Sequence, residues 1–199
     1  MHSTGDRIID TITASKISID YAHHEIHDGD SFTANYSRTT AATAGHRTGL
    51  YIKTPAAGGK LLHLIAQFSS SVAAQYSICE TPTLTANVGT HANVIYNRYR
   101  DNVKTSGCFD NAAAPAVNKF TTLTEVQIAG DVGYAIGTVI RTAPLVAGSS
   151  PKPAGGSSRD SQEYILKANT AYIFLITNLT ADANNHEILI DWYEHTNKV

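Results

Sequence analysis

The residues best equipped for chemistry lie in one stretch, Asp20 to Ser37, which reads DYAHHEIHDGDSFTANYS. It holds three histidines, His23, His24 and His27, and four acidic residues, Asp20, Glu25, Asp28 and Asp30. Read as a strand, it projects His23, Glu25 and His27 from one face, because successive side chains alternate. Two imidazoles and a carboxylate on one face could hold Zn²⁺ or Fe²⁺. The same histidines could instead answer to pH near neutrality.

Spacing argues against a catalytic metal. Small β-barrel metalloenzymes of the cupin type use His-x-His with a Glu shortly after it. Here the order is His-x-Glu-x-His, and no later G-x-x-x-x-P-x-G-x-x-H segment follows. His46, His63, His91, His186 and His195 are scattered singly. Asp28-Gly29 is a two-residue turn signal. The expectation is therefore strand, turn, strand, with histidines that pack through their apolar bodies and keep their polar tips wet or bonded.

Other catalytic templates are equally thin. No G-x-S-x-G elbow occurs. AGGK, at Ala57 to Lys60, lacks the full phosphate-loop pattern. Glu25, Glu80, Glu125, Glu163, Glu187 and Glu194 could each serve in a carboxylate pair for glycoside hydrolysis, and the sequence singles out none. The chain is expected not to be an enzyme, with no catalytic residue, no metal and no cofactor.

The elements that would position these residues are strands. Period-two alternation runs through SKISIDYAH, GLYIKT, KLLHLIAQFS and VAAQYSICE. It continues through TPTLTANVGT, ANVIYNRYR, KFTTLTEVQIA and YAIGTVIRT. EYILKANTAYIFLITNL is two strands broken at KANT. HEILIDWYEH puts Ile188, Ile190 and Trp192 on one face and Leu189, Asp191 and Tyr193 on the other. About nine or ten short strands, with turn signals between them and no α/β alternation, predict an all-β fold. The expected form is a single antiparallel β-sandwich of jelly-roll type over residues 16–199, preceded by an N-terminal arm, 1–15. Asp101 to Asn118 and Ala143 to Asp160 are expected to be long loops.

Bulk properties narrow the partners. A chain of 199 residues can bury one sizeable core. Charged residues make up 16% against a usual value of about 25%, with Thr, Ala, Asn and Ser in their place. A net charge of −2 without a basic run predicts no nucleic-acid partner. No apolar run nears the roughly 20 residues of a membrane span, and no secretory signal is visible, so synthesis in a cytoplasm and no membrane are expected. Cys79 and Cys108 form no CxxC pair and are expected as reduced thiols.

Two segments together resemble the structural proteins of tailed bacteriophages. HHEIHDGDSFTANYS, His23 to Ser37, is similar to an N-terminal HH-x-IH-x-G-x-x-F pattern. EYILKANTAYIFLITNLTADANNHEILIDWYEH, Glu163 to His195, is similar to a C-terminal pattern ending I-x-L-x-W-Y-E-H. NVIYNRYR, Asn93 to Arg100, fits an Asn/Arg-rich strand more loosely, and the two expected long loops have no counterpart in the pattern. The resemblance implies a jelly-roll virion protein, a capsid decoration (cement) protein. Such a protein sits on the outer surface of the head, bridges major capsid subunits and stabilises the expanded shell, often as a homotrimer or dimer. A head-fibre or tail module binding host-surface glycan is the first alternative, with ten tyrosines and Trp192 as possible platforms, although Trp192 falls on the apolar face of its strand. A cupin-like metal-dependent enzyme is the second.

Overall fold

A computed structural model of the chain describes residues 21–39, 43–56, 60–147, 149–153 and 163–196. The expected arm, 1–15, and the strand expected from residue 16 to 20 lie outside the described residues. The described chain forms two short helices and twelve strands. The strands are β1 (Ser31–Arg38), β2 (Arg47–Lys53), β3 (Leu61–Ser70), β4 (Ala74–Glu80), β5 (Thr90–Val94) and β6 (Tyr96–Asn97). They continue as β7 (Lys119–Thr124), β8 (Thr138–Leu145), β9 (Ser149–Pro153), β10 (Tyr164–Leu166), β11 (Ala171–Asn178) and β12 (His186–His195).

One sheet has the order β10-β3-β12-β1-β6, with β9 also on β3, and the other has β5-β7-β2-β11-β4-β8. Every pairing is antiparallel. β1 pairs with β12, β2 with β11, β3 with β10 and β4 with β8. That is one long hairpin whose successive pairs fall alternately in the two sheets, which is the connectivity of a jelly roll. The all-β sandwich read from the sequence is the architecture found. Between β4 and β8 the chain makes an excursion that adds β5 and β7 beyond β2 and β6 beyond β1, so it widens both sheets on the same side.

Alternation accounts for the main core. On β3, Leu62, Leu64, Ala66 and Phe68 are buried, and the residues between them are half-buried. On β12, Ile188, Ile190 and Trp192 are fully buried and meet Phe32 of β1, Phe174 of β11 and Ile52 of β2 between the sheets. Trp192 is thus a core residue, as its position on the strand predicts. The second sheet is also covered on its outer face: Tyr51, Cys79, Leu123, Ile173 and Leu175 form a smaller cluster with Ile128. β11 therefore reads as an almost unbroken apolar run, as strands buried on both faces do.

Four sequence expectations need correction. YAHHEIH is not a strand but helix α1 (Tyr21–His27). TEVQIA does not continue β7; Glu125–Gly130 is helix α2, opened by Gln127 Oε1 accepting the Thr124 N–H at 2.8 Å. Its Ile128 is the lid on the outer cluster, while Val126 faces solvent. TPTLTANVGT is largely a turn-rich connection, bridged to Ala135 at Thr83 and bonded to Asp131 at Thr85 and to Asn111 at Asn87. Ala143 to Asp160 is not one loop, since Ala143 to Leu145 complete β8 and Ser149–Pro153 form β9; residues 154–160 lie outside the described residues. Asp101 to Asn118 does lack regular elements, but it is packed, with Ser106, Cys108 and Asp110 buried.

Candidate functional site

α1 ends where Asp28 N–H reaches His24 O at 2.9 Å, Gly29 N–H reaches Ile26 O at 3.0 Å and Asp30 N–H reaches Glu25 O at 3.0 Å. Gly29 takes φ +76°, the left-handed value that ends many helices. A Cβ at Gly29 would lie 2.1 Å from Asn102 Nδ2, so the 101–118 loop seats directly on this turn. In a helix, residues 23 and 27 sit one turn apart, and residue 25 lies about 160° away from either around the axis. The His23/Glu25/His27 face expected of a strand therefore does not exist. Instead the helix gathers His24, Glu25 and Asp28, whose ligand atoms all lie within 4.8 Å of one another. His24 Nδ1 is 3.3 Å from Asp28 Oδ2 and 3.9 Å from Glu25 Oε1. Glu25 is buried, and His24, His27 and Asp28 are exposed.

These three residues line an open cleft of about 210 Å³ together with Asp30, Lys60 and His195. Lys60 and Lys104 both bind Asp30, Lys104 at 3.2 Å. Burial pushes the Asp30 carboxyl up, but the two ammonium groups outweigh it and hold it below the ordinary aspartate range.

Beside the cleft, the sheet register assembles two clusters that no spacing in the sequence announces. Tyr193 of β12 lies opposite His63 of β3. Tyr193 Oη is 3.0 Å from His63 Nδ1, and His63 Nε2 is 2.6 Å from His195 Nε2, so one imidazole of that pair carries the shared proton. The other cluster surrounds Glu194, which is buried. Its Oε1 accepts from Ser106 Oγ at 2.5 Å, Trp192 Nε1 at 3.1 Å and Gly107 N–H at 3.2 Å, and its Oε2 accepts from Gly107 N–H at 3.1 Å. These donors belong to the long loop and to β12, so Glu194 pins the loop to the sheet.

The remaining sequence candidates are dispersed. Glu80 binds Lys167 and Tyr172, Glu125 binds Arg47, and Glu187 binds Ser69. His46 lies near Thr43 and His91 near Thr121. His186 is buried against Thr48 Oγ1 at 2.8 Å, and burial, helped by the Arg38 charge, lowers its imidazole to about 4. Cys79 and Cys108 are free and buried, as expected of reduced thiols.

The surface offers a different kind of feature. Among the described residues, β8 borders only β4 and so forms an edge of its sheet; β10, on β3, forms the neighbouring edge of the other. Arg141 of β8 ties the two edges together, donating to Tyr76 Oη at 2.9 Å and Tyr164 Oη at 3.3 Å. Along this side Ile140 is 39%, Val139 45% and Ile165 62% exposed. At the opposite side Tyr96 and Tyr99 are exposed, and the Arg100 guanidinium stands 5.3 Å over the Tyr96 ring.

No family model and no curated protein matches this chain. Among the described residues, no helix is long and apolar enough to cross a membrane.

Proposed function

We propose that the protein is a non-enzymatic structural subunit of a bacteriophage virion, a decoration (cement) protein that docks as a homo-oligomer on the outer surface of the head. Its partner is the major capsid protein, and its role is to stabilise the expanded shell. The observation that carries this reading is where the phage-like segments fall. His23 to Ser37 supplies most of α1 and of β1, and Glu163 to His195 supplies β10, β11 and β12. β1 and β12 pair over eight residues, from Ser31 with Tyr193 to Arg38 with His186. The two segments, far apart in the chain, thus meet directly at β1 and β12 in the middle of one sheet, with β11 contributed to the other.

The surface chemistry supports the same role. The β8 edge carries one charge, Arg141, and exposed Val139 and Ile140 on its two faces, while Pro144 and a register shift against β4 blunt it against open strand pairing, so its contact would run through side chains. Such an edge suits contact with another protein subunit. Weak identical contacts repeated over a shell hold by multivalency, so each need not be tight.

A second reading has its own observation. Tyr96, Tyr99 and Arg100 form an exposed aromatic and cationic group of the kind that sugars stack on. A glycan-binding fibre module would use it; buried Trp192 would take no part. Electron microscopy of virions labelled with antibody to the protein separates the two. Gold over the head surface is expected; gold confined to fibres or tail, or no label on virions, contradicts the decoration role.

A further inference from the structure

We propose that His24, Glu25 and Asp28 form a binding site for one divalent transition-metal ion of the Zn²⁺ class. The inference is independent of the virion role proposed above.

Three observations converge on it. The first is chemical: one imidazole and two carboxylates form a donor set that Zn²⁺ and its neighbours accept. The second is geometric. Tetrahedral ligands at about 2.0–2.2 Å from zinc lie roughly 3.3–3.6 Å from one another. His24 Nδ1 and Asp28 Oδ2 are already 3.3 Å apart, and Glu25 Oε1 is 3.9 Å from the same nitrogen. All three ligand atoms lie within 4.8 Å of one another, so Glu25 must close on the His24–Asp28 pair to complete the third corner. His24 and Asp28 occupy i and i+4 of one helical turn, which holds them on one side of α1.

The third observation concerns charge. Glu25 is 94% buried and lines the cleft, and its carboxylate faces His24 Nδ1 at 3.9 Å. That contact is too long for a hydrogen bond, and a cation in the cleft brings full charge to a largely desolvated carboxylate. The ammonium groups of Lys60 and Lys104 are held by Asp30, so they do not serve Glu25. A protonated His24 supplies one positive charge to two carboxylates, whereas a dication supplies two. The fourth position opens to the cleft, where water can complete the shell. His195 borders the cleft but is not a fourth ligand, because its Nε2 is engaged with His63 and its Nδ1 faces Thr196 O.

The test uses the full chain, stripped with EDTA and titrated with Zn²⁺ by calorimetry at neutral pH. One ion per chain is expected. His24→Ala and Asp28→Asn should each weaken binding by at least about tenfold, as expected for loss of one of three direct ligands. Both side chains are exposed, so the metal-free melting curves of these variants should match that of the parent, which separates lost binding from lost folding. Co²⁺ loaded in place of Zn²⁺ should give a ligand-field absorption that vanishes in His24→Ala. No saturable binding near one ion per chain would overturn the proposal. So would unchanged affinity in both variants, because the ion would then reside elsewhere.

Discussion

Ser106 donates to Glu194 across 2.5 Å and joins residues 88 positions apart in the chain. The serine belongs to the long excursion between β4 and β8; the glutamate belongs to the last strand. With Gly107 and Trp192 it makes Glu194 an acceptor for loop and core at once. Glu194→Gln keeps the shape, and with its oxygen in the Oε1 place it turns an amide NH₂ toward the Gly107 N–H, itself a donor, and removes the charge that strengthens the Ser106 and Trp192 bonds. We expect a loss of about 1–3 kcal/mol, the cost of leaving buried donors unmatched. Urea denaturation monitored by the fluorescence of Trp192 measures it. A change within a few tenths of a kcal/mol would mean that water replaces these bonds.

His186 makes a prediction about acid. Its folded value is about 4, because burial first and the Arg38 charge second disfavour the imidazolium, against an ordinary value of 6.5. Above pH 6.5 both folded and unfolded chains hold a neutral ring, and the residue adds no pH dependence. Between about 6.5 and 4 the unfolded chain binds a proton that the folded chain refuses, so stability falls as pH falls. Below about 4 the folded chain binds it too and the slope ends. The full loss is at most about 3 kcal/mol. His186→Gln should flatten this part of the stability–pH curve; the same slope in parent and variant would contradict the assignment.

The two thiols should be inert in the folded protein. Burial raises Cys79 to about 11, and burial together with the nearby Glu194 charge raises Cys108 well above the ordinary thiol range. Thiolate is the reactive form, and neither site provides it at neutral pH. A chromogenic thiol reagent should titrate neither cysteine in native buffer and two per chain in denaturant. Rapid native labelling, or no labelling after unfolding without reductant, would contradict two buried free thiols.

The legible part of the fold is the part built on alternation. β3 and β12 bury one face each, so their residues declare it, and Trp192 could be placed in the core from Ile188 and Ile190 alone. α1 was illegible because His-x-Glu-x-His satisfies both a two-residue and a four-residue spacing. Asp28-Gly29 adds to the ambiguity, since a glycine with positive φ closes a helix as readily as it turns a hairpin. α2 hides behind Thr-rich β7, and its capping box, Thr124 with Gln127, was the available signal. YAIGTVIRT declared the first half of β8, but its end and β9 were obscured because edge strands need not be apolar on one side; β8 is exposed over most of its length. The His63–His195 contact and the Glu194 cluster arise from the pairing of distant segments. No local pattern encodes them.

The most direct measurement is co-sedimentation of the purified protein with phage heads that lack it, in expanded and unexpanded forms. The decoration account expects saturable binding to expanded heads only, at a fixed ratio to the major capsid subunit, by a protein whose mass in free solution is a multiple of one chain. Absence of binding to either form, across a concentration range that would saturate a micromolar contact, would contradict it and move the weight to the tyrosine–arginine surface and a host-binding role.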